Sequence, residues 1–341
     1  MKNLKQFLRE KRSRKLTLCF IGVSVFLIVS ILMNLCMGAA DLTLSELMEA
    51  IQNGPVDAKG RIFWYARLPR MIACILSGAA LAVSGSVIQN VLTNHLASPS
   101  IIGVNAGAGL AVTLCLAAGA MSGWVIAGAS FTGAMIAVLL VAGVSKKIGA
   151  SRTTVILGGV AVNSCLNAAS EAIMILIPEV GMQAGDFRVG GFSSVVYTRV
   201  IPAGVLIVLG LIILFTLCNE LDVMSLGEET AQGLGLSVKK MRTIFLTVAA
   251  LLAGASVSFA GLLGFVGLIV PHVGRKLVSS DSRFLLPFCA IGGAAFVTFC
   301  DLLARTMFNP YEIPVGILMS FIGGPFFLFL LAKRKGVHGR D

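Results

Sequence analysis

The chain has 341 residues, 57% hydrophobic and only 13% charged, with a mean hydropathy of +0.92 and a formal net charge of +11. Apolar runs near the ~20 residues that cross ~30 Å of hydrocarbon make it a polytopic helical membrane protein, without the alternating pattern of a membrane β-barrel. No room remains for a soluble domain of any size, and no Gly-x-x-x-x-Gly-Lys-Ser/Thr loop is present to hold a nucleotide.

Residues 1–15 carry seven Lys and Arg and lead into a first span at about 16–37. That run is too long for the apolar part of a signal peptide and lacks a convincing cleavage site, so it reads as a retained anchor. Asp41 to Ile51 is predicted as a short surface helix opened by a capping box between Thr43 and Glu46. Span two is expected at about 68–91, and Thr93–Pro99 breaks the chain before span three at about 101–119. Gly119–Gly123 turns it into span four, about 124–144, and the basic loop Lys146–Arg152 precedes span five, which ends near Ile177. Residues 178–198 read as a Gly-rich external loop before span six at about 200–218.

The polar interval 219–242, NELDVMSLGEETAQGLGLSVKKMR, is the longest such break between two apolar runs on the basic side. Ser225 and Glu228 have capping-box spacing, Gly233 and Gly235 end the short helix so started, and Ser237 is placed to cap the next. A compact helical elbow is therefore expected, either an ordinary capped turn or a docking surface for a separate protein. Span seven then runs to about Ala260. The segment 261–275, GLLGFVGLIVPHVGR, is too short and Gly-rich for a plain span and reads as a short or broken span eight; spans nine and ten follow at about 284–304 and 313–332.

Charge tests this ten-span pattern. With the N-terminus inside, only seven of the 27 lysines and arginines fall outside, namely Lys59, Arg61, Arg67, Arg70, Arg188, Arg199 and Arg305. The positive-inside rule thus places both termini and the tail 333–341 in the cytoplasm. Most of the net charge is topology, and no nucleic-acid partner is expected.

Arg67, Arg70 and Arg305 run against the pattern at outer helix ends. They either snorkel to lipid headgroups or wait for carboxylates on an outside partner, and Asp301 can also pair with Arg305 four residues along one helix. Gly103 and Gly107, the series Gly261, Gly264 and Gly267, and Gly323 and Gly324 before Pro325 suit close helix packing or a dimer contact. Pro271 and Pro325 free backbone carbonyls that only protein or a water-lined cavity tolerates. Glu171 and Asp301 are the only acids within spans, which counts against an ion-coupled secondary carrier. The eight cysteines lack metal-ligand spacing and read as small buried hydrophobes, and His95 and His272 have no metal-site partner. No nucleophile, base and orienter can be assembled, so neither an enzyme nor a bound cofactor or metal is expected.

Five blocks in order carry a resemblance: RLPRMIACILSGAALAVSGSVIQNVLTNHLASPSIIGVNAGAGL (67–110), LGEETAQGLGL (226–236), GLLGFVGLIVPHVGR (261–275), DLLAR (301–305) and IPVGILMSFIGGPFFLFLL (313–331). Over about residues 60–333 the chain resembles the FecCD/BtuC-type permease family of ABC importers for iron-siderophores, haem and cobalamin. The resemblance implies an all-α type II ABC importer permease fold of about ten transmembrane helices, with residues 1–341 forming one permease domain in a bacterial cytoplasmic membrane. It implies a dimer of identical or homologous permeases, two ABC ATPases below that use ATP and Mg, and an extracytoplasmic substrate-binding protein above. By the same resemblance Arg67, Arg70 and Arg305 dock the binding protein, while Gly227, Glu228, Ala231, Leu234 and Gly235 couple to the ATPase. Ser151, Arg152 and Thr153 align with an inner gate. Asn94–Ala97 lacks the usual proline, and Phe187 stands where a tryptophan is common. The competing readings are an ion-coupled secondary transporter and a membrane assembly subunit that moves nothing.

Overall fold

The computed structural model describes residues 2–38, 41–120, 122–148, 152–309 and 311–335. Among them the chain is all helical, with fifteen α-helices and one π-helical turn. In order these are α1 (Lys2–Cys36), α2 (Leu44–Asn53), α3 (Ala58–Ile62), the π turn Phe63–Arg67, α4 (Leu68–Val91), α5 (Val104–Ala117), α6 (Gly123–Ile148) and α7 (Arg152–Leu176). There follow α8 (Pro178–Val189), α9 (Tyr197–Thr216), α10 (Cys218–Ser225), α11 (Glu228–Gly233), α12 (Val238–Ala260), α13 (Val266–Leu277), α14 (Ser282–Thr306) and α15 (Val315–Lys335).

Seven stretches are long and apolar enough to cross a membrane, and Val104–Ala117 and Val315–Phe329 are shorter apolar helices. The second expected span is longer than its apolar core, because α3, the π turn and α4 run on as one 34-residue stretch, Ala58–Val91. The short span eight is α13, twelve residues with Pro271 inside it.

α4 and α12 lie at the centre. Their buried residues are mostly Ala, Gly, Ser and Val, which lets neighbouring backbones come together where lipid supplies no hydrophobic drive. A Cβ on Gly78 of α4 would meet the Gly293 carbonyl of α14 at 2.2 Å, and one on Gly85 would meet the Gly267 carbonyl of α13 at 2.1 Å. α4, α13 and α14 therefore touch backbone to backbone and form one block. Between α12 and α13 the irregular segment at 261–265 is tied by backbone bonds to the end of α8 and the residues after it. The Leu262 N–H donates to the Phe187 carbonyl at 2.9 Å, and the Gly191 N–H donates to the Ala260 carbonyl at 2.9 Å.

Three local expectations are corrected. Residues 178–198 are not all loop: α8 fills the first twelve, started by Pro178 at a position that needs no N–H and framed by Glu179 and Arg188 at the ends that suit their charges. Glycines at 181 and 185 hid those signals. The Ser225–Glu228 capping box does not form. A helix already under way from Cys218 makes Ser225 a last helical residue, and its hydroxyl donates to the Asp222 carbonyl at 2.7 Å. Gly227, at φ 111°, takes the N-cap place of α11 instead, and Ser237 occupies the N-cap place of α12 without a side-chain hydrogen bond. By contrast the Thr43–Glu46 box at α2 is present in both directions.

Candidate functional site: a buried arginine cluster and a helical elbow

Arg67, Arg70 and Arg305 converge at one end of the bundle, delivered by the π turn, the first turn of α4 and the last turn of α14. Asp301, one turn before Arg305, organises them. Its carboxylate accepts from Arg70 Nε at 3.0 and 3.1 Å, from Arg70 Nη2 at 2.9 Å and from Asn34 Nδ2 of α1 at 3.1 Å, with Arg305 Nε 3.6 Å away. The fork of Arg70 thus grips a fully buried carboxylate in bidentate fashion, and its Nη1 reaches Glu312 at 2.9 Å. Arg67 donates to the Leu35 carbonyl and Arg305 to the Asn34 carbonyl, both near the end of α1, where that helix leaves carbonyls without intrahelical partners. Arg67 and Arg305 are 4% and 7% exposed, so these guanidiniums are set into the protein rather than splayed to headgroups. Beside them a cavity of about 430 Å³ is lined by Arg70, Asp186, Ser193, Ser194, Arg199 and Glu312.

At the other end of the long helices lies the elbow, which is two helices, α10 and α11, where one was expected. Glu228 pairs with Arg242 of α12 at 2.8 Å, fastening α11 to the helix that follows it. Ala231 is fully buried and anchors α11, whereas Leu234 is 64% exposed, with Leu226 exposed beside it. Gly227 and Gly235 hold the positive φ angles, 111° and 84°, that open and close the short helix. The result is a compact polar knuckle with two leucines exposed at its surface. Of the expected gate residues, Ser151 lies outside the described residues, Arg152 begins α7 and Thr153 is exposed on it.

Several residues of these two sites went unnoticed in the sequence. Asn34, Glu312, Asn219 and Asp222 carry no spacing signal, because their partners lie far away in the chain. Gln89 and Asn90 did carry one, as two polar amides at the end of an apolar span, where such groups are expensive unless they have partners. Among the described residues no three His, Cys, Asp or Glu side chains converge as a metal site.

Residues 26–333 match the FecCD transport family. The chain belongs to that family. As a FecCD member it is a multi-pass transport permease of the ABC importer class, built for the cytoplasmic membrane. It is 34% identical to the Fe(3+)-citrate import system permease protein YfmD of Bacillus subtilis, over 96% of this chain and 98% of that one. It is 32% identical to the vitamin B12 import system permease protein BtuC of Yersinia enterocolitica, over 93% of each. Its fold superposes with a TM-score of 0.84 and 28% identity on a solved metal-chelate type ABC transporter in an inward-facing conformation, covering 93% of this chain and 99% of that one.

Proposed function

We propose that this FecCD permease forms the pore of an importer for an iron chelate, haem or cobalamin, as one of two permease subunits driven by two separate ATPases that consume ATP and Mg. Both termini lie in the cytoplasm, ten helices cross the membrane, and the whole chain works as a single unit. The observation that carries the reading is the likeness over nearly the full length to permeases named for ferric citrate and for vitamin B12.

The geometry supports a division of labour. Gly227, Glu228, Ala231, Leu234 and Gly235 form the knuckle that an ATPase holds, with Leu226 and Leu234 as its apolar contacts. At the opposite end Arg67, Arg70 and Arg305 set the field that a loaded binding protein meets. Since Arg70 already holds Asp301 and Glu312, an incoming carboxylate competes for its outer edge, and the cluster orients the docking surface as much as it attracts. The wall of the pathway is α7 with the cleft of about 670 Å³ lined by Asn105, Arg188, Gly316, Ser320, Phe321 and Pro325. Exposed Asn167 and Glu171 on α7 are costly against lipid and suit a water path shared with a second permease, with Ser164, whose hydroxyl donates to the Val160 carbonyl at 3.0 Å, exposed beside them. Of the gate residues Ser151, Arg152 and Thr153, the last two stand at the start of α7 in that wall.

The test is uptake by vesicles holding the permease, its ATPase and its binding protein, offered labelled ferric citrate, a ferric hydroxamate, haem and cobalamin in turn. ATP-dependent accumulation of one of the four is expected. Failure of all four, with the assembly intact, would overturn the assignment of cargo class.

A further inference from the structure

We infer that α14 is a rod gripped at both ends, and that Asp222 is the positioning residue through which the elbow moves it. This rests on the reading of the chain as an ATP-driven importer subunit. At the elbow end, Asp222 of α10 accepts the Ser282 N–H at 3.0 and 3.2 Å and the Ser282 hydroxyl at 2.6 Å. Ser282 is the first residue of α14, so its N–H has no intrahelical partner, and a carboxylate there also faces the positive end of the helix dipole. Burial pushes the Asp222 carboxyl up while these bonds from Ser282 pull it down. Nearly one turn earlier on α10, Asn219 Oδ1 accepts Arg283 Nε and Nη2 at 2.9 and 2.6 Å. α10 thus holds the start of α14 at two consecutive residues.

The grip extends inward. Asn90 Nδ2 of α4 donates to Ser282 Oγ at 3.4 Å, Arg275 Nη2 of α13 donates to Asn90 Oδ1 at 3.1 Å, and Arg275 Nη1 donates to Gln89 Oε1. Gln89 Nε2 closes the series on the Gly267 carbonyl at 2.9 Å. One line of bonds therefore joins the elbow to α14, α4 and α13, the three helices already in backbone contact at Gly78–Gly293 and Gly85–Gly267. A block so packed cannot deform gradually, and a displacement of α10 moves it whole. Pro287, in the second turn of α14, leaves the Arg283 carbonyl without its intrahelical partner, while Leu285, Leu286, Phe288 and Cys289 around it are all buried.

The other end of the rod is the arginine cluster. Asp301 lies nineteen residues beyond Ser282, about 28 Å along a helix at 1.5 Å per residue. The elbow has two exits: α11 to α12 through Glu228–Arg242, and α10 to α14 through Asp222–Ser282. The second leads along α14 to Asp301 and Arg305 and, through Asn90, along α4 to Arg70. Engagement at one end and docking at the other are then linked and reciprocal.

The experiment uses the complete importer in vesicles, with wild type, Asp222→Ala and the milder Ser282→Ala, which keeps the backbone N–H donor. Three quantities are read: stimulation of ATP hydrolysis by loaded binding protein, cargo moved per ATP, and thermal unfolding. A link of ordinary allosteric size predicts that Asp222→Ala lowers stimulation and cargo per ATP by about fivefold or more. Ser282→Ala loses less, and both melt within a few degrees of wild type. Wild-type stimulation and stoichiometry in Asp222→Ala would overturn the rod. So would a parallel fall of uptake, hydrolysis and melting temperature in both variants, which is the mark of a merely structural bond. If wild type itself shows no stimulation by loaded binding protein, the importer reading fails first, and the two failures are thereby separate.

Discussion

α4 and α7 are nearly the same length, 24 and 25 residues, yet they sit in opposite surroundings. In the most apolar 18 residues of the stretch containing α4, 78% are buried within the chain, against 11% in the corresponding part of α7. α4 puts its glycines, serines and amides where other helices of the same chain meet them: Ser77 against Ser256 at 2.6 Å, Ser84 on the Ala249 carbonyl at 2.6 Å, and Gln89 and Asn90 on Arg275. α7 leaves Ser164, Asn167 and Glu171 uncovered, with Glu171 only 3.8 Å from the half-exposed Arg188. The half of the bundle around α4 is closed within the chain, and the half carrying α7 leaves polar groups at its surface. The contrast teaches that the chain covers the polar groups of α4 itself and leaves those of α7 open.

The comparison breaks most visibly at Asp301. Asp301→Ala leaves two buried guanidiniums without their shared carboxylate, and removing one partner of a buried ion pair costs about 3–5 kcal/mol. The expected outcome is a sharply lower melting temperature of the purified permease, and an unchanged one would show that the cluster is not holding the block together. Next comes packing. Gly85→Val forces apart α4 and α13 and should destabilise by about 1–3 kcal/mol, as overpacking does. Gly128→Ala on the exposed face of α6, where nothing lies within 4 Å of an added Cβ, should cost no stability and add up to about 1 kcal/mol, as a helix-interior alanine does.

The two halves also differ in access to water. Ser164→Cys on α7 should react with a membrane-impermeant maleimide in the assembled importer, whereas Ala250→Cys, buried on α12, should not. Protection of both would place the α7 face against protein or lipid and leave the pathway elsewhere. The smallest effect belongs to α2. Hydrogen bonds from Lys59 and Thr43 hold the Glu46 carboxyl at about 2, below its ordinary 4.5. A depressed carboxylate pKa stabilises the fold above 4.5, and that contribution fades as pH falls toward 2. The protection factors of α2 amides, exchange rates taken relative to the unstructured chain at the same pH, should therefore fall across that window, and Glu46→Gln should abolish the dependence.

Legibility followed the range of the interaction. The positions of the long apolar helices came through because apolar length is a local property, and the capping box at Thr43 came through because its two partners are three residues apart. The box expected at Ser225 failed for a related reason: the same spacing has no meaning once an earlier helix already includes the serine. α8 was missed because its glycines outweighed Pro178, Glu179 and Arg188, which mark the ends of a helix. The arginines at 67, 70 and 305 stood out by breaking the charge pattern, but their burial and the central position of Asp301 depend on residues more than two hundred positions apart. Asp222 had no local signal at all, being one of several acids in a polar break.

The account stands on the idea that this permease moves nothing by itself and is driven through its elbow. The most direct measurement is cargo accumulation in sealed vesicles with the membrane potential and proton gradient collapsed by ionophores, in the presence and absence of the ATPase and ATP. Accumulation that persists with ionophores and disappears without ATP hydrolysis is the predicted result. Accumulation by the permease alone that collapses with the ion gradient would contradict it.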